Sequence, residues 1–195
     1  KEFFRPLRIG RRLVVETSWA HAERRPGDVV VTLDPGNAFG TGQHESTRLL
    51  LAEIERLVEP GMRVLDVGCG SGILAIAALR LGAAHARALD VDADAVRTAL
   101  DNAERNGVAA SFEASRTSVT DVDEAYALVM ANIEAGVLVA LADALLRCVA
   151  PGGFLMLSGI LLEGEERVRH AYAQLSLVAA PREGDWVALV LRRDA

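Results

Sequence analysis

The chain has 195 residues and a formal net charge of −6, with 51% apolar and 25% charged residues. This composition predicts one folded domain with a buried core and argues against a disordered chain. The acidic balance argues against direct binding of a nucleic acid through its phosphates, and no apolar run is long enough to cross a bilayer. Two distant cysteines, Cys69 and Cys148, favour a reducing, cytoplasmic location over a disulfide scaffold. Because the chain begins at Lys1, we expect a piece of a longer protein.

The first 31 residues are irregular and rich in arginine. Short apolar runs at Leu13 to Val15 and Val29 to Leu33 predict edge strands. The arginines form either a solvated face, or a contact surface, or the end of an interdomain linker. We therefore expect a linker-like segment with edge strands over residues 1–31 and the main domain over residues 32–195.

Beyond this segment, strand and helix patterns alternate. Helical spacing starts at Ser46 and stops at Pro60-Gly61, with Leu50, Ile54 and Leu57 on one face. Apolar runs then predict strands at 63–67, 86–91, 110–114, 127–131 and 154–157, alternating with helices at 73–81, 93–105, 135–149 and 163–174. Two last runs, 175–179 and 186–191, predict a hairpin. This alternation predicts an α/β fold with a doubly wound, mostly parallel sheet and an antiparallel strand at or near one edge.

A glycine-rich loop joins the first of these strands to its helix. Gly68, Gly70 and Gly72 permit a tight turn and a close approach of a ligand to the backbone. The third glycine comes one place earlier than in the dinucleotide fingerprint, and the P-loop lysine and spacing are absent. The loop therefore indicates a nucleotide-binding fold, excludes a P-loop and fits the dinucleotide fingerprint poorly.

Two carboxylates near the loop indicate which cofactor. Asp90 ends the second strand, 90 − 68 = 22 residues after Gly68, where a carboxylate can accept both hydroxyls of a ribose. Asp66 precedes the loop and favours a cationic ligand over a pyrophosphate. An adenosine ribose together with a positive centre points to S-adenosylmethionine.

The segment from Leu33 to Thr47 predicts a lid. It is polar, it contains Gly40 and Gly42 around Thr41, and it carries the large apolar residue Phe39. Such a loop can close over a ligand and exclude water. Ser46 or Thr47 could cap the following helix, and Thr47 could equally contact the cofactor. His44 could act as a base, but no further ligand lies at a spacing that would predict a metal site.

Asn132 follows the strand at 127–131. Its side chain offers a donor and an acceptor that could hold a substrate amine, or the cofactor's amino group, beside the methyl carbon. The alternative is a cap for a helix that starts near Glu134. We expect Cys69 to fill space in the loop and Trp186 either to pack in the hairpin or to wall a pocket.

These segments resemble the ribosomal protein L-eleven methyltransferase family. The similarity lies in residues 34–47, 68–78, 90–92, 101–107, 131–133 and 157–161. It implies a seven-stranded Rossmann-like methyltransferase sheet, S-adenosylmethionine as the cofactor, and methyl transfer to lysine side chains and an α-amine of a large-subunit ribosomal protein. Thr47, Gly68, Asp90 and Asn132 stand at the family's cofactor-binding positions. Two features depart from the family. The family usually reads Thr-His-Pro-Thr-Thr where this chain reads Gln43-His44-Glu45-Ser46-Thr47. The family also has an N-terminal recognition domain that this sequence does not contain.

The predicted site follows from these patterns and this resemblance together. We predict Asn132 as the catalytic residue that orients the amine, and we assign no side-chain general base. The predicted cofactor-binding residues are Phe39, Gly40, Thr41, Thr47, Asp66, Gly68, Gly70, Gly72, Asp90 and Asn132. Three alternatives remain open: a methyltransferase acting on another protein or a small molecule, an NAD-dependent oxidoreductase, and a non-enzymatic cofactor-binding module.

Overall fold

The computed structural model describes residues 5–34 and 43–195. A small three-stranded sheet comes first and consists of β1 (Leu7–Ile9), β2 (Leu13–Glu16) and β3 (Val29–Thr32). The middle strand, β2, is antiparallel to β1 and parallel to β3. The prediction of an edge strand at Leu13 to Val15 is therefore wrong, because these fully buried residues form the centre of a separate sheet. β3 does lie at an edge, and the expected boundary between residues 31 and 32 falls inside it.

The large sheet confirms the predicted doubly wound, mostly parallel α/β architecture. Its strands lie in the order β6-β5-β4-β7-β8-β11, and β9 and β10 pair with the outer side of β11. Neighbours from β6 to β8 are parallel, whereas β11 is antiparallel to β8. The strands are β4 (Arg63–Val67), β5 (His85–Leu89), β6 (Phe112–Ser115), β7 (Tyr126–Asn132), β8 (Val149–Leu161), β9 (Ser176–Ala179), β10 (Arg182–Glu183) and β11 (Trp186–Arg192).

This sheet has eight strands rather than the expected seven. The difference lies in the predicted turn of the terminal hairpin. Within that turn, Arg182 and Glu183 pair with Val187 and Trp186 and form the extra strand β10. Two residues are too few for an alternating apolar pattern to reveal, so the sequence predicts only the turn.

Helices cover both faces of the large sheet. They are α1 (Glu45–Leu57), α2 (Ile73–Arg80), α3 (Ala93–Arg105), α4 (Ala135–Ala140), α5 (Ala142–Cys148) and α6 (Glu165–Ala171). The small sheet shares one apolar core with α1 and α2. Residues 7–33 therefore pack against the main domain and do not form the expected linker-like segment. No helix within residues 5–34 and 43–195 is long and apolar enough to cross a membrane.

The single helix predicted over 135–149 is wrong, because α4 ends at Ala140 and α5 begins at Ala142. Leu141 joins the two helices with φ −95° and ψ 8°, outside regular helical geometry. Apolar spacing shows which face of a segment is buried but does not show a change of axis. The break places Leu141 on the wall of the cavity described below.

Candidate functional site

The glycine loop between β4 and α2 adopts backbone angles that favour glycine. Gly68, Gly70 and Gly72 have φ values of 74°, 51° and 80°. The N–H groups of Gly68 and Cys69 donate to the carbonyl oxygen of Leu89 at 2.8 and 3.0 Å, which fixes the loop to the end of β5. A Cβ at Gly68 would collide with the side chain of Ile133, so this position requires glycine for space as well as for conformation.

Asp90 is held by two backbone donors. The N–H of Gly70 donates to its Oδ2 at 2.9 Å, and the N–H of Asp92 donates to its Oδ1 at 3.0 Å. A carboxylate offers about four acceptor positions, so each oxygen keeps capacity for a further donor. The side chain is therefore oriented by the loop while it can still accept the two hydroxyls of a ribose.

Asn132 and Thr47 form a pair across the site. The Nδ2 of Asn132, at the end of β7, donates to the Oγ1 of Thr47 in the first turn of α1 at 3.0 Å. This bond uses one amide N–H and leaves the Oδ1 of Asn132 available as an acceptor. The pair joins residues 85 positions apart in the sequence.

Neither of the capping roles considered for Thr47 and Asn132 occurs. His44 caps α1, because its Nδ1 accepts from the backbone N–H of Ser46 at 3.3 Å and lies 2.8 Å from the Oγ of Ser46. Glu134 precedes α4 and makes no side-chain capping bond. The alternatives of a helix cap at Ser46 or Thr47 and at Asn132 are therefore wrong, and the side chains of Thr47 and Asn132 contact each other.

One cavity of about 790 Å³ brings these groups together. Thr47, Gly68, Gly70, Asp90 and Asn132 are the predicted residues on its wall. Trp186 also lines it and packs edge-on against His44, with ring centroids 4.6 Å apart. Both alternatives for Trp186 hold, because it pairs with Glu183 in the hairpin, packs against the core and also lines the cavity. The lining residues that were not predicted as site residues include Val67, Ile73, Leu74, Leu89, Val91, Thr117, Ser118, Val119, Ile133, Glu134, Val137, Leu141 and Gly159. The rule that ligands bind beyond the carboxyl ends of strands could have indicated several of them, and Val91, Ile133 and Gly159 lie in segments that carry the family resemblance.

Asp66 and Gly72 lie behind this wall. Asp66 is fully buried, and its Oδ2 accepts from the N–H of Ala75 at 3.3 Å while its Oδ1 has no partner. Burial raises the pKa of this carboxyl to about 7, and the Asp90 carboxylate adds to the rise. The expectation that the Asp66 carboxylate contacts a cationic ligand is therefore corrected, because Asp66 does not line the cavity. At Gly72, a Cβ would lie 3.0 Å from the Cβ of Ala99, so this glycine permits close packing of α2 and α3.

Three of the predicted cofactor-binding residues, Phe39, Gly40 and Thr41, lie outside the described residues, as does most of the predicted lid. Cys69 lines the cavity but is buried. Burial raises the pKa of its thiol, with further contributions from the nearby carboxyl groups of Asp66 and Asp90. Within the two described ranges, no group of three or more His, Cys, Asp or Glu side chains is arranged to hold a metal ion.

Two buried asparagines, Asn102 in α3 and Asn106 directly after it, connect the small sheet to the glycine loop. Asn106 accepts from the N–H of Thr32 at 2.9 Å and donates to its carbonyl at 2.7 Å. Asn102 accepts from the N–H of Asp34 at 3.0 Å and donates to the carbonyl of Ser71 at 3.0 Å. The motif at 101–107 therefore positions the backbone of β3, of Asp34 and of the glycine loop, a role that the sequence did not reveal.

Known proteins resemble this chain along its length. The family model described as ribosomal protein L11 methyltransferase matches residues 1–194. The curated proteins of that name from Citrifermentans bemidjiense and Geobacter sulfurreducens are 46% and 48% identical, over 99% and 100% of this chain. This chain spans only 65% and 64% of their lengths.

Solved structures agree with these matches. The crystal structure of a ribosomal protein L11 methylase from Lactobacillus delbrueckii subsp. bulgaricus has a TM-score of 0.90 and 31% identity, covering 100% of both chains. An RNA methyltransferase from Salinibacter ruber, in complex with S-adenosyl-L-homocysteine, has a TM-score of 0.61 and 18% identity, over 74% of this chain and 90% of the other. At that identity, the second match shows a shared fold.

Proposed function

Because this chain belongs to the ribosomal protein L11 methyltransferase family, we propose that it transfers the methyl group of S-adenosylmethionine to amines of a large-subunit ribosomal protein. The expected amines are lysine side chains and an α-amine. The observation that carries this proposal is that Asp90, beside the glycine loop, and the Thr47–Asn132 pair line the same cavity.

The cavity wall has the chemistry that an adenosine requires. Asp90 is oriented by Gly70 and Asp92 and can accept from both ribose hydroxyls. Leu89, Val91 and Val119 supply apolar surface along the same wall for a flat base. Gly68 and Gly70 allow the ligand to approach the backbone.

S-adenosylmethionine supplies an electrophilic methyl carbon on its sulfonium. The residues of this chain need to place an uncharged amine in line with that carbon, at near-attack distance. Asn132 suits this task because Thr47 holds its Nδ2, which leaves Oδ1 to accept an N–H of the amine. A lysine amine has a pKa near 10.4 in water and loses its proton more readily in an apolar site. We assign no side-chain general base.

Calorimetry with variants of Asp90 tests the cofactor assignment. The chain should bind S-adenosylhomocysteine and not NAD, and Asp90→Ala should weaken that binding roughly tenfold or more, because two hydroxyls lose a charged acceptor. Asp101→Ala removes an exposed carboxylate from α3 and serves as the matched control. Binding of NAD in place of S-adenosylhomocysteine would favour the oxidoreductase alternative, and equal affinity of the Asp90→Ala variant would refute the ribose assignment.

The acceptor and the cellular location belong to this proposal. The name of the curated relatives supports ribosomal protein L11 as the acceptor, and a net charge of −6 suits a basic partner. Cys69 and Cys148 are both buried and unpaired, which fits the reducing cytoplasm. The acidic balance gives no support for direct binding to nucleic acid.

A further inference from the structure

The cavity has an uneven distribution of charge. Asp90 and Glu134 are the two carboxylates among the described residues that line it, and no Lys or Arg among those residues does so. The loop and the proposed ribose contact account for Asp90. Glu134 is exposed and is the N-cap residue of α4, but its side chain makes no capping bond, so the cofactor assignment leaves its carboxylate without a role.

Glu134 lies close to the proposed point of reaction. Asn132, Ile133 and Glu134 are consecutive residues on the cavity wall. A Cβ at Gly136 would lie 3.5 Å from the Oε1 of Glu134, which places the carboxylate beside the first turn of α4. An ammonium ion that approaches Asn132 along this wall would therefore pass a negative charge.

The neighbouring surface suits a long aliphatic chain with a cationic end. Val137 and Leu141 follow Glu134 along the same wall and supply apolar contacts for methylene groups. Trp186 lines the same cavity and adds an aromatic ring to its wall. A lysine side chain has both the aliphatic chain and the cationic end. An anionic or uncharged acceptor would not be attracted by the carboxylate of Glu134.

We propose that Glu134 determines acceptor specificity by binding the ammonium form of an incoming lysine side chain, while Val137 and Leu141 contact its methylene groups. This inference rests on the proposed function, because it takes the cavity to be a site of amine methylation. It adds the residue that selects a cationic acceptor and the part of the wall along which that acceptor enters.

Steady-state kinetics with a lysine-containing peptide as acceptor tests the proposal. Glu134→Gln should raise the KM for the peptide roughly two- to fivefold, the range expected for an exposed ion pair, with a smaller change in kcat. Glu134→Arg should raise KM further, because a like charge repels the ammonium. Glu104→Gln removes one exposed carboxylate from α3 and is the matched control, since its KM should equal that of the unmodified chain.

Two further readouts separate this role from a structural one. Added salt should raise the KM of the unmodified chain and have less effect on Glu134→Gln, because exposed charges are screened. The affinity for S-adenosylhomocysteine should be the same in all variants. Methyl transfer with equal KM in the unmodified chain and in Glu134→Gln would overturn this inference alone. Failure of the unmodified chain to methylate any amine would overturn the proposed function together with it.

Discussion

At the scale of single residues, the Thr47–Asn132 hydrogen bond links two positions that the sequence marks separately. Local patterns could suggest a role for each of them, because each occurs at the boundary of a predicted element. They could not suggest the contact, since it depends on how α1 packs against the end of β7. The same limit applies to Asp66, whose place in the sequence predicts a ligand contact but whose burial takes it behind the wall.

The Thr47–Asn132 pair makes a prediction about coupling. If Thr47 acts by orienting Asn132, Thr47→Val and Asn132→Ala should each lower kcat about tenfold to a hundredfold, because misplacing the amine is costly. The double variant should be little worse than Asn132→Ala alone. Thr47→Ser keeps the hydroxyl and should retain activity near that of the unmodified chain. Fully additive losses would show that Thr47 acts independently of Asn132.

Asp66 makes a prediction about pH. Its pKa is raised from 3.8 to about 7 in the folded chain, so between these values the folded state retains a proton that the unfolded state releases. The free energy of unfolding should therefore fall as the pH rises from about 4 to 7, by up to about 4 kcal/mol from this group. Urea unfolding at pH 5 and pH 8 should show a smaller fall in Asp66→Asn. Equal falls in the two proteins would argue against a raised pKa.

At the scale of elements, periodic and well-delimited segments were predictable. β4 and α3 have the predicted bounds, because turn residues flank the former, and Asp92 and Asn106 delimit the latter. Asp92 accepts from the N–H of Asp94, and Asn106 follows the last residue of the helix. The break at Leu141, the two-residue strand β10 and the small sheet were not predictable, because they depend on packing between segments that are distant in sequence.

The asparagine contacts of α3 make a prediction about stability. Asn102→Ala would leave the N–H of Asp34 and the carbonyl of Ser71 without these partners in a buried region. The variant should lose about 1–3 kcal/mol in the free energy of unfolding, measured in urea. It should also bind S-adenosylhomocysteine more weakly, since Ser71 belongs to the glycine loop. Asp101→Ala, an exposed change on the same helix, should preserve both properties, and a neutral Asn102→Ala would contradict the account.

At the scale of the whole molecule, the strand order explains where the cavity forms. The chain runs from β4 to β5 on one side and later returns to pair β7 with the other side of β4. Ligands of open α/β sheets bind beyond the carboxyl ends of the strands at such a reversal. Asp90 follows β5, the glycine loop follows β4, and Asn132 ends β7, so the topology brings these residues to one place. The alternation of strands and helices predicts this class of sheet, but contacts such as that of Thr47 with Asn132 required the structure.

In the described part of the molecule, one cavity is lined by both Asp90, the proposed ribose-binding carboxylate, and Asn132. The chain spans slightly less than two thirds of its curated relatives. The central claim to test is therefore the proposed methyl transfer. The most direct measurement is the movement of labelled methyl groups from S-adenosylmethionine to purified ribosomal protein L11, with the modified atoms assigned by mass spectrometry. The account predicts methylated lysine side chains and α-amine with the unmodified chain, and transfer lowered about tenfold to a hundredfold with Asn132→Ala. An unlabelled acceptor, with S-adenosylhomocysteine bound normally, would contradict it and favour a different acceptor or a module that binds the cofactor without catalysis.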